Sequence, residues 1–475
     1  MDRRLLTNYF YNILFQVVKI ATPVIIVPYT MSHLGATTLG ISDFAGNIVT
    51  WFILFGTLGA NIYGNREIAK VRDDKKKLSQ TFFEIWAMLS INMLIACLFY
   101  FLYIILTVKE NAFVYYLYLF TILASALNIT WFFYGVEDFR SVSIRNILVK
   151  IAGVILIVLV VKTPDDLWKF VLINSLSEVI GQGIMFMRMG KYISFEKISI
   201  RAAYRHHLKG TVALFIPTIA SSVYTMLDQT MLGYLTDDTA YVATYKAAVG
   251  FINMFLYFIT AIGSVMLPRI TNVYYNHGGN EEIKGYISVT IKIAVGLALP
   301  MMFGMDAIAS SFIPWYLPSQ PEIATIIRFA SPIILFTSLT NVFGTQYLVA
   351  TGKTSKYTHS VVTGAIVNFI ANSILIPHYQ AIGAALGSVI AEFSVVLVQL
   401  HYTKDLQMKF DRSYRLYLVS AIIMAVVVYV MGIYMSASFT TNVIQVLVGV
   451  FIYVMILAIM KEELVIKTLK KVLRR

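Results

Sequence analysis

Charge is what this sequence has least of. Only 13% of its 475 residues are Asp, Glu, Lys or Arg, against 58% hydrophobic, and the mean hydropathy is +0.73. Soluble domains carry roughly 25% charged residues. A soluble fold of this size could not cover its surface, and the apolar content also excludes low-complexity disorder. Cysteine is nearly absent. The single Cys97 lies in an apolar run, which rules out an intrachain disulfide and a disulfide-rich secreted scaffold. No His/Cys cluster has zinc spacing. No G-x-x-x-x-G-K-[ST] run is present, so ATP is not the direct drive. What the chain does have is long apolar runs, which make it a polytopic membrane protein.

A membrane-crossing helix needs about 20 mainly apolar residues. Fourteen runs qualify: 10–31, 40–62, 81–106, 113–136, 146–162, 167–187, 212–235, 241–264, 286–305, 322–345, 359–377, 381–402, 416–436 and 440–460. They are continuous, unlike the short alternating segments of a transmembrane β-barrel. The expected fold class is an all-α polytopic membrane protein of about 14 transmembrane helices. With the N-terminus inside, the inner segments hold thirty of the 38 Lys and Arg, and the outer loops hold only Lys109 and Lys162. Both termini are therefore expected to be cytoplasmic. The net charge of +13 would suggest nucleic acid in a soluble protein. Here it marks the inner face, and no nucleic-acid partner is implied. The first run is too long for a cleavable signal peptide, and no A-x-A-like site follows it. The longest outer loop, 306–321, is too short for a catalytic domain. His206 and His207, beside Arg205 and Lys209, read as a basic lipid-facing patch, and 461–475 as a basic amphipathic helix on the inner leaflet.

Residues 23–35 (P-V-I-I-V-P-Y-T-M-S-H-L-G) and 217–233 (P-T-I-A-S-S-V-Y-T-M-L-D-Q-T-M-L-G) are both Pro-interrupted helices with Y-T-M downstream. They suggest an N-lobe at 1–187 (helices 1–6), an inter-lobe linker at 188–211 and a C-lobe at 212–402 (helices 7–12). Helices 13–14 and the basic tail follow at 403–475. Six helices per lobe make the repeat parallel.

Five stretches carry a family resemblance. They are L-G-A-N-I-Y-G-N-R-E-I-A-K (58–70), W-F-F-Y-G-V-E-D-F-R-S-V-S-I-R-N (131–146), M-L-G-Y-L with Y-V-A-T-Y-K-A-A (231–235, 241–248), L-P-R-I (267–270) and I-P-H-Y-Q-A-I-G-A-A-L-G-S-V-I-A-E (376–392). In this order the sequence resembles the Wzx-type polysaccharide flippases of the multidrug/oligosaccharidyl-lipid/polysaccharide (MOP) exporter superfamily. One departure is Gln380, where Gly is common. The resemblance implies two MATE-like lobes in the bacterial cytoplasmic membrane. They would rock around a cavity and carry an undecaprenyl-diphosphate-linked oligosaccharide to the outer leaflet for capsule, O-antigen or exopolysaccharide synthesis, with no covalent chemistry. Implied partners are that substrate, membrane lipids, a polysaccharide polymerase and glycosyltransferases, with the chain acting as a monomer.

Ionisable groups inside hydrocarbon cost several kcal/mol unless they face a cavity or a partner. Lys150 and Lys292, near inner ends, and Lys169, near an outer end, can snorkel to the headgroups. Lys19, Glu178 and Glu392 lie near mid-span. Lys246 and Arg328 lie about a turn and a half inside the outer ends of helices 8 and 10. A cation in low dielectric would attract a diphosphate. Asp43 opens helix 2, where a helix-start role competes with function, and Asn47 follows one turn on. Lys19, Lys246, Arg328, Asp43, Asn47, Glu178 and Glu392 are thus the candidate cavity residues. The two glutamates also fit a structural pairing role.

Asp228 on helix 7, Asn368 and Asn372 on helix 11, and Ala384 and Ser388 on helix 12 offer oxygens of the hard-cation type. They resemble a sodium site of lipid II flippases in this superfamily, with Asn372 where a second carboxylate stands there. Coupling to Na+ or H+ is the corresponding expectation, and no other cofactor or metal is implied. Plain interhelical hydrogen bonding is the competing reading. Gly383 and Gly387 read as packing positions, and Trp315 and Tyr316 as part of an interfacial aromatic belt. Trp131 and Tyr134 belong to that belt or contact sugar faces. Two other functions compete. A multidrug cation antiporter of the same superfamily wants acidic aromatic cavities, which six intramembrane cations disfavour. A polytopic polysaccharide polymerase needs catalytic groups on substantial outer loops.

Overall fold

In hydrocarbon a backbone N–H or C=O finds no water, so each apolar run must satisfy its own polar groups by coiling. The computed structural model describes residues 3–276, 280–406 and 411–467, and among them it shows helices, short turns and no strand. Each of the fourteen predicted runs lies mainly on helix, with 113–136 divided among three short helices. Among the described residues, 12 helical segments are long and apolar enough to cross a membrane, and one of these, Thr354–Tyr402, contains two predicted runs. The expected amphipathic tail lies largely outside the described residues, from 468 onward.

The chain forms two compact units, Met1–Thr230 with Asp238–Ala240, and Met231–Asp237 with Tyr241–Arg475. The first contains α1 (Arg3–Leu34), α2 (Ala36–Thr57), α3 (Ala60–Val71), α4 (Lys75–Thr107), α5 (Ala112–Leu117), α6 (Leu119–Ala126), α7 (Thr130–Gly135), α8 (Phe139–Val160) and α9 (Leu167–Met189). It also takes α10 (Ile200–Leu235) as far as Thr230. Side-chain caps set the starts of α4 and α8. Asp74 accepts from the Lys76 and Lys77 amides, and Asp138 accepts from the Ser141 amide. Burial opposes ionisation of Asp138. The Ser141 and Tyr192 hydroxyls and the nearby Arg188 outweigh it and hold the carboxyl below the usual carboxylate range.

The first unit keeps α10 as far as Thr230. The physical reason is a set of polar contacts along α10. Tyr63 Oη donates to His207 Nδ1 at 2.9 Å. Asn47 Nδ2 donates to Met226 O at 3.1 Å and to Thr230 Oγ1 at 2.7 Å, and Trp51 Nε1 donates to the same hydroxyl at 2.8 Å. Each is expensive to leave unmade inside a membrane. Nearby, Tyr63, Ile68, Phe82, Ile85, Trp131 and Phe132 form an apolar core. Trp131 is only 1% exposed, stacks on Phe82 and donates to Asn128 O at 3.0 Å, so it is a core residue and not a sugar-stacking platform.

The second unit contains α11 (Ala240–Asn276), α12 (Asn280–Tyr316), α13 (Ile323–Ala330), α14 (Pro332–Thr340), a π-helical segment (Asn341–Val349), α15 (Thr354–Tyr402), α16 (Arg412–Tyr434) and α17 (Phe439–Ile459). α16 and α17 pack on α12 through Leu299, Tyr417, Met424, Val428 and Leu457. Two sequence expectations are corrected. The stretch 306–321 is not a loop throughout, because α12 runs on to Tyr316 and anchors there: Ser311 Oγ donates to Gln445 Oε1 at 2.8 Å, and Trp315 Nε1 donates to Asn442 Oδ1 at 2.5 Å. Asp43 does not open helix 2, since α2 begins at Ala36, straight after the positive-φ Gly35.

α15 is two helices joined at Gln380, whose φ of 45° and ψ of −123° suit glycine and strain an L side chain. Just beyond it a Cβ on Gly383 would lie 2.4 Å from Leu375 O, so the turn closes only over a hydrogen. Gln380→Gly should therefore raise stability by about 1 kcal/mol. Thermal unfolding of the purified protein in detergent checks this, and a lowered midpoint would show that the Gln380 side chain compensates for its backbone.

Candidate functional site

In the first unit α8 packs against both α1 and α9, and this arrangement gathers charge. Lys19 comes from α1, Arg145 and Lys150 from α8, and Glu178 from α9. The Glu178 carboxylate interacts electrostatically with Lys150 and Arg145, and the Lys150 ammonium also feels Lys19. Asp43 of α2 joins through Tyr118, whose hydroxyl is within electrostatic reach of Asp43 and Glu178. That hydroxyl donates to Ser42 O at 2.8 Å and lies 3.0 Å from Ser42 Oγ. Three predicted residues, Lys19, Asp43 and Glu178, thus fall in one neighbourhood with two others, and cations outnumber carboxylates three to two.

The cluster has an exposed front and a buried back. Lys19, Lys150 and Glu178 are exposed on the unit, and Arg145 is buried. Arg145 Nη2 donates to Thr130 Oγ1 at 3.2 Å and to Gln182 Oε1 at 3.4 Å. Its Nε is buried with no hydrogen-bond partner among the described residues. Gly181 makes room for it, since a Cβ there would sit 3.2 Å from Arg145 Cδ. Chemically, the arrangement is a fixed positive excess with donors facing a low-dielectric region, suited to an anion with several oxygens.

Arg145 and Lys150 are the residues that sequence reasoning misses. Charge counting puts Arg145 in the inner segment 137–145, and a position near a helix end makes Lys150 a snorkeler. The available signal is D-F-R-S at 138–141: an N-cap Asp three residues before a Ser starts the helix at Phe139 and carries Arg145 into its second turn.

The other candidates are placed differently. Asn47 is 7% exposed, and its Nδ2 makes the α2–α10 hydrogen bonds described above. In the second unit Arg328 is half-exposed, donates to Ser310 Oγ at 2.5 Å and lies 3.8 Å from Asp306 Oδ1. Lys246 is exposed on α11. Glu392 is 8% exposed and accepts from Thr340 Oγ1 at 3.4 Å, beside the π-helical segment. Asn368, Asn372, Ala384 and Ser388 are buried where the two arms of α15 meet. Asn372 Nδ2 donates to Asn368 Oδ1 at 3.2 Å, and Ser388 Oγ lies 3.2 Å from Tyr245 Oη. A Cβ on Gly387 would fall 2.0 Å from Asn372 Oδ1, so the small residue is what admits the amide. Asp228 is also buried but belongs to the first unit.

Comparison with known proteins agrees with this architecture. The family model described as polysaccharide biosynthesis protein matches residues 5–273, and the MatE model matches 213–374. A "Putative O-antigen transporter" of Escherichia coli (strain K12) is 22% identical, over 84% of this chain and 96% of its own length. One from Shigella dysenteriae is 25% identical, over 80% and 96%. Among solved structures, the lipid II flippase MurJ in an inward closed conformation superposes with a TM-score of 0.75 at 16% identity, covering 95% of this chain and all of that one. An inward-facing MATE family multidrug transporter of the MOP superfamily gives 0.60 at 13%, covering 83% and 94%. These likenesses establish an all-α polytopic membrane fold of the kind seen in MurJ and the MATE transporter.

The cluster should behave as one energetic unit. In a double-mutant cycle, Lys150→Met and Glu178→Gln should couple by about 1 kcal/mol in thermal unfolding. Strictly additive effects would dissolve the cluster into separate surface charges.

Proposed function

The chain belongs to the polysaccharide biosynthesis protein family, and from that premise we propose that it is a flippase for an undecaprenyl-diphosphate-linked oligosaccharide. In this reading it works by alternating access in the cytoplasmic membrane of a bacterium, with both termini inside, and it delivers repeat units to a polysaccharide polymerase outside. The observation that carries the proposal is the cationic excess of Lys19, Arg145 and Lys150 over Glu178 and Asp43 within the apolar region of the first unit.

The physical problem in flipping is the headgroup. A diphosphate costs many kcal/mol to place in hydrocarbon, and opposite fixed charge offsets that cost most strongly where the dielectric is low. Lys19 and Lys150 are point charges on flexible stems and can follow a moving headgroup, whereas Arg145 is held by Thr130 and Gln182 and presents a fixed fork. Glu178 and Asp43 are the carboxylates of the same cluster. A cationic drug would meet three like charges here, which weighs against the antiporter reading.

The test is export of surface polymer in a flippase-deleted host. Lys19→Ala and Lys150→Ala should each cut export about tenfold, the effect of one lost contact of about 1.4 kcal/mol. Protein level in the membrane should hold. Full export by both variants, or raised resistance to several organic cations without any glycan phenotype, would overturn the proposal.

A further inference from the structure

At its lysine- and arginine-rich end the first unit carries a second polar feature, apart from the membrane cluster. An open cavity of about 800 Å³ lies between the start of α4 and the start of α10. Gln80 and Glu84 line one side, and Ser199, Arg201, Arg205 and His206 the other. Three more cations, Lys75, Lys76 and Lys77, stand in the turn of α4 that precedes Gln80.

The cavity's one carboxylate is already committed. Glu84 Oε1 accepts from Gln80 Nε2 at 2.9 Å, and Glu84 Oε2 accepts from His207 Nε2 at 2.9 Å. His207 is 2% exposed and is fixed from its other side by the Tyr63 hydroxyl at 2.9 Å. Burial pushes the His207 imidazole down in pKa, more than Glu84 pulls it up, so the ring stays neutral at neutral pH. Arg201 and Arg205 are exposed, and neither forms an ion pair or hydrogen bond with any described residue. Two guanidinium forks one turn apart therefore line the open cavity.

The same stripe of α10 changes character as it goes on. Positions 201, 205, 208 and 212 follow one helix face, and the last two are Leu208 and Val212, 38% and 37% exposed. Ile200 and Phe195, beside the cavity in sequence, are 54% and 81% exposed. Paired basic forks leading into a bare apolar stripe match a molecule with a phosphate at one end and an acyl chain at the other. We propose that this cavity is a phosphate-ester site that takes the headgroup of an anionic phospholipid of the inner leaflet. It is separate from the membrane cluster and has its own ligand, so it stands or falls independently of flippase activity.

Binding to the purified full-length chain in detergent tests the proposal, with dioctanoyl phosphatidylglycerol as the probe. The native protein should bind it, and R201Q/R205Q should weaken binding about thirtyfold, at roughly a fivefold loss per basic residue near an anionic lipid. Both side chains are exposed, so the variant should fold, and R201K/R205K should retain most of the affinity. Phosphatidylcholine, whose own ammonium offsets its phosphate, should bind the native protein more weakly. Inorganic phosphate distinguishes the source of the ligand. If it fails to displace the lipid, the site is a headgroup site; if it displaces the lipid at equal affinity, the site takes soluble phosphates, and the lipid assignment falls. Equal binding of phosphatidylglycerol by the native protein and R201Q/R205Q, or no preference over phosphatidylcholine, would overturn the site altogether.

Discussion

The first unit depends on one carboxylate. Glu178 stands within electrostatic reach of both Arg145 and Lys150, in an apolar setting where either cation alone would cost several kcal/mol. Hydrocarbon imposes the same rule elsewhere. Asn47, Thr230 and Trp51 spend their polar atoms on one another, and so do Ser311, Asn442 and Gln445. These polar groups are matched to one another, and the charged cluster differs in that its cations outnumber its carboxylates three to two.

The fold was largely legible in the amino-acid sequence, because hydropathy and the distribution of Lys and Arg are averages over many residues. The apolar runs lie mainly on helix, and the break near Gln380 was visible as a shift between two runs. Helix ends were less legible. A start set by Gly35 or by the Asp138 cap depends on one backbone angle or one hydrogen bond, which hydropathy does not see. Asp43 and Arg145 were misplaced for that reason alone.

The candidate site was half legible. Lys19 and Glu178 announce themselves as charges in mid-run, but nothing in the pattern tells which charges on different helices meet. That depends on α8 lying against both α1 and α9 and on the absent side chain of Gly181, which makes space for Arg145. Asn47 shows the converse. It shares a helix face with Asp43, yet its amide is turned to α10 and closed off there.

Arg145 Nε, buried with no hydrogen-bond partner among the described residues, bears on the selectivity that the proposed function would need. An idle buried donor costs about 1–3 kcal/mol in the resting state. A guest whose oxygen reaches that donor relieves the debt, and one without such an oxygen leaves it standing. Discrimination of this kind, by what is left unsatisfied, runs to large ratios even between molecules of the same shape. Under the proposed function, selection among guests follows their acceptors more than their size.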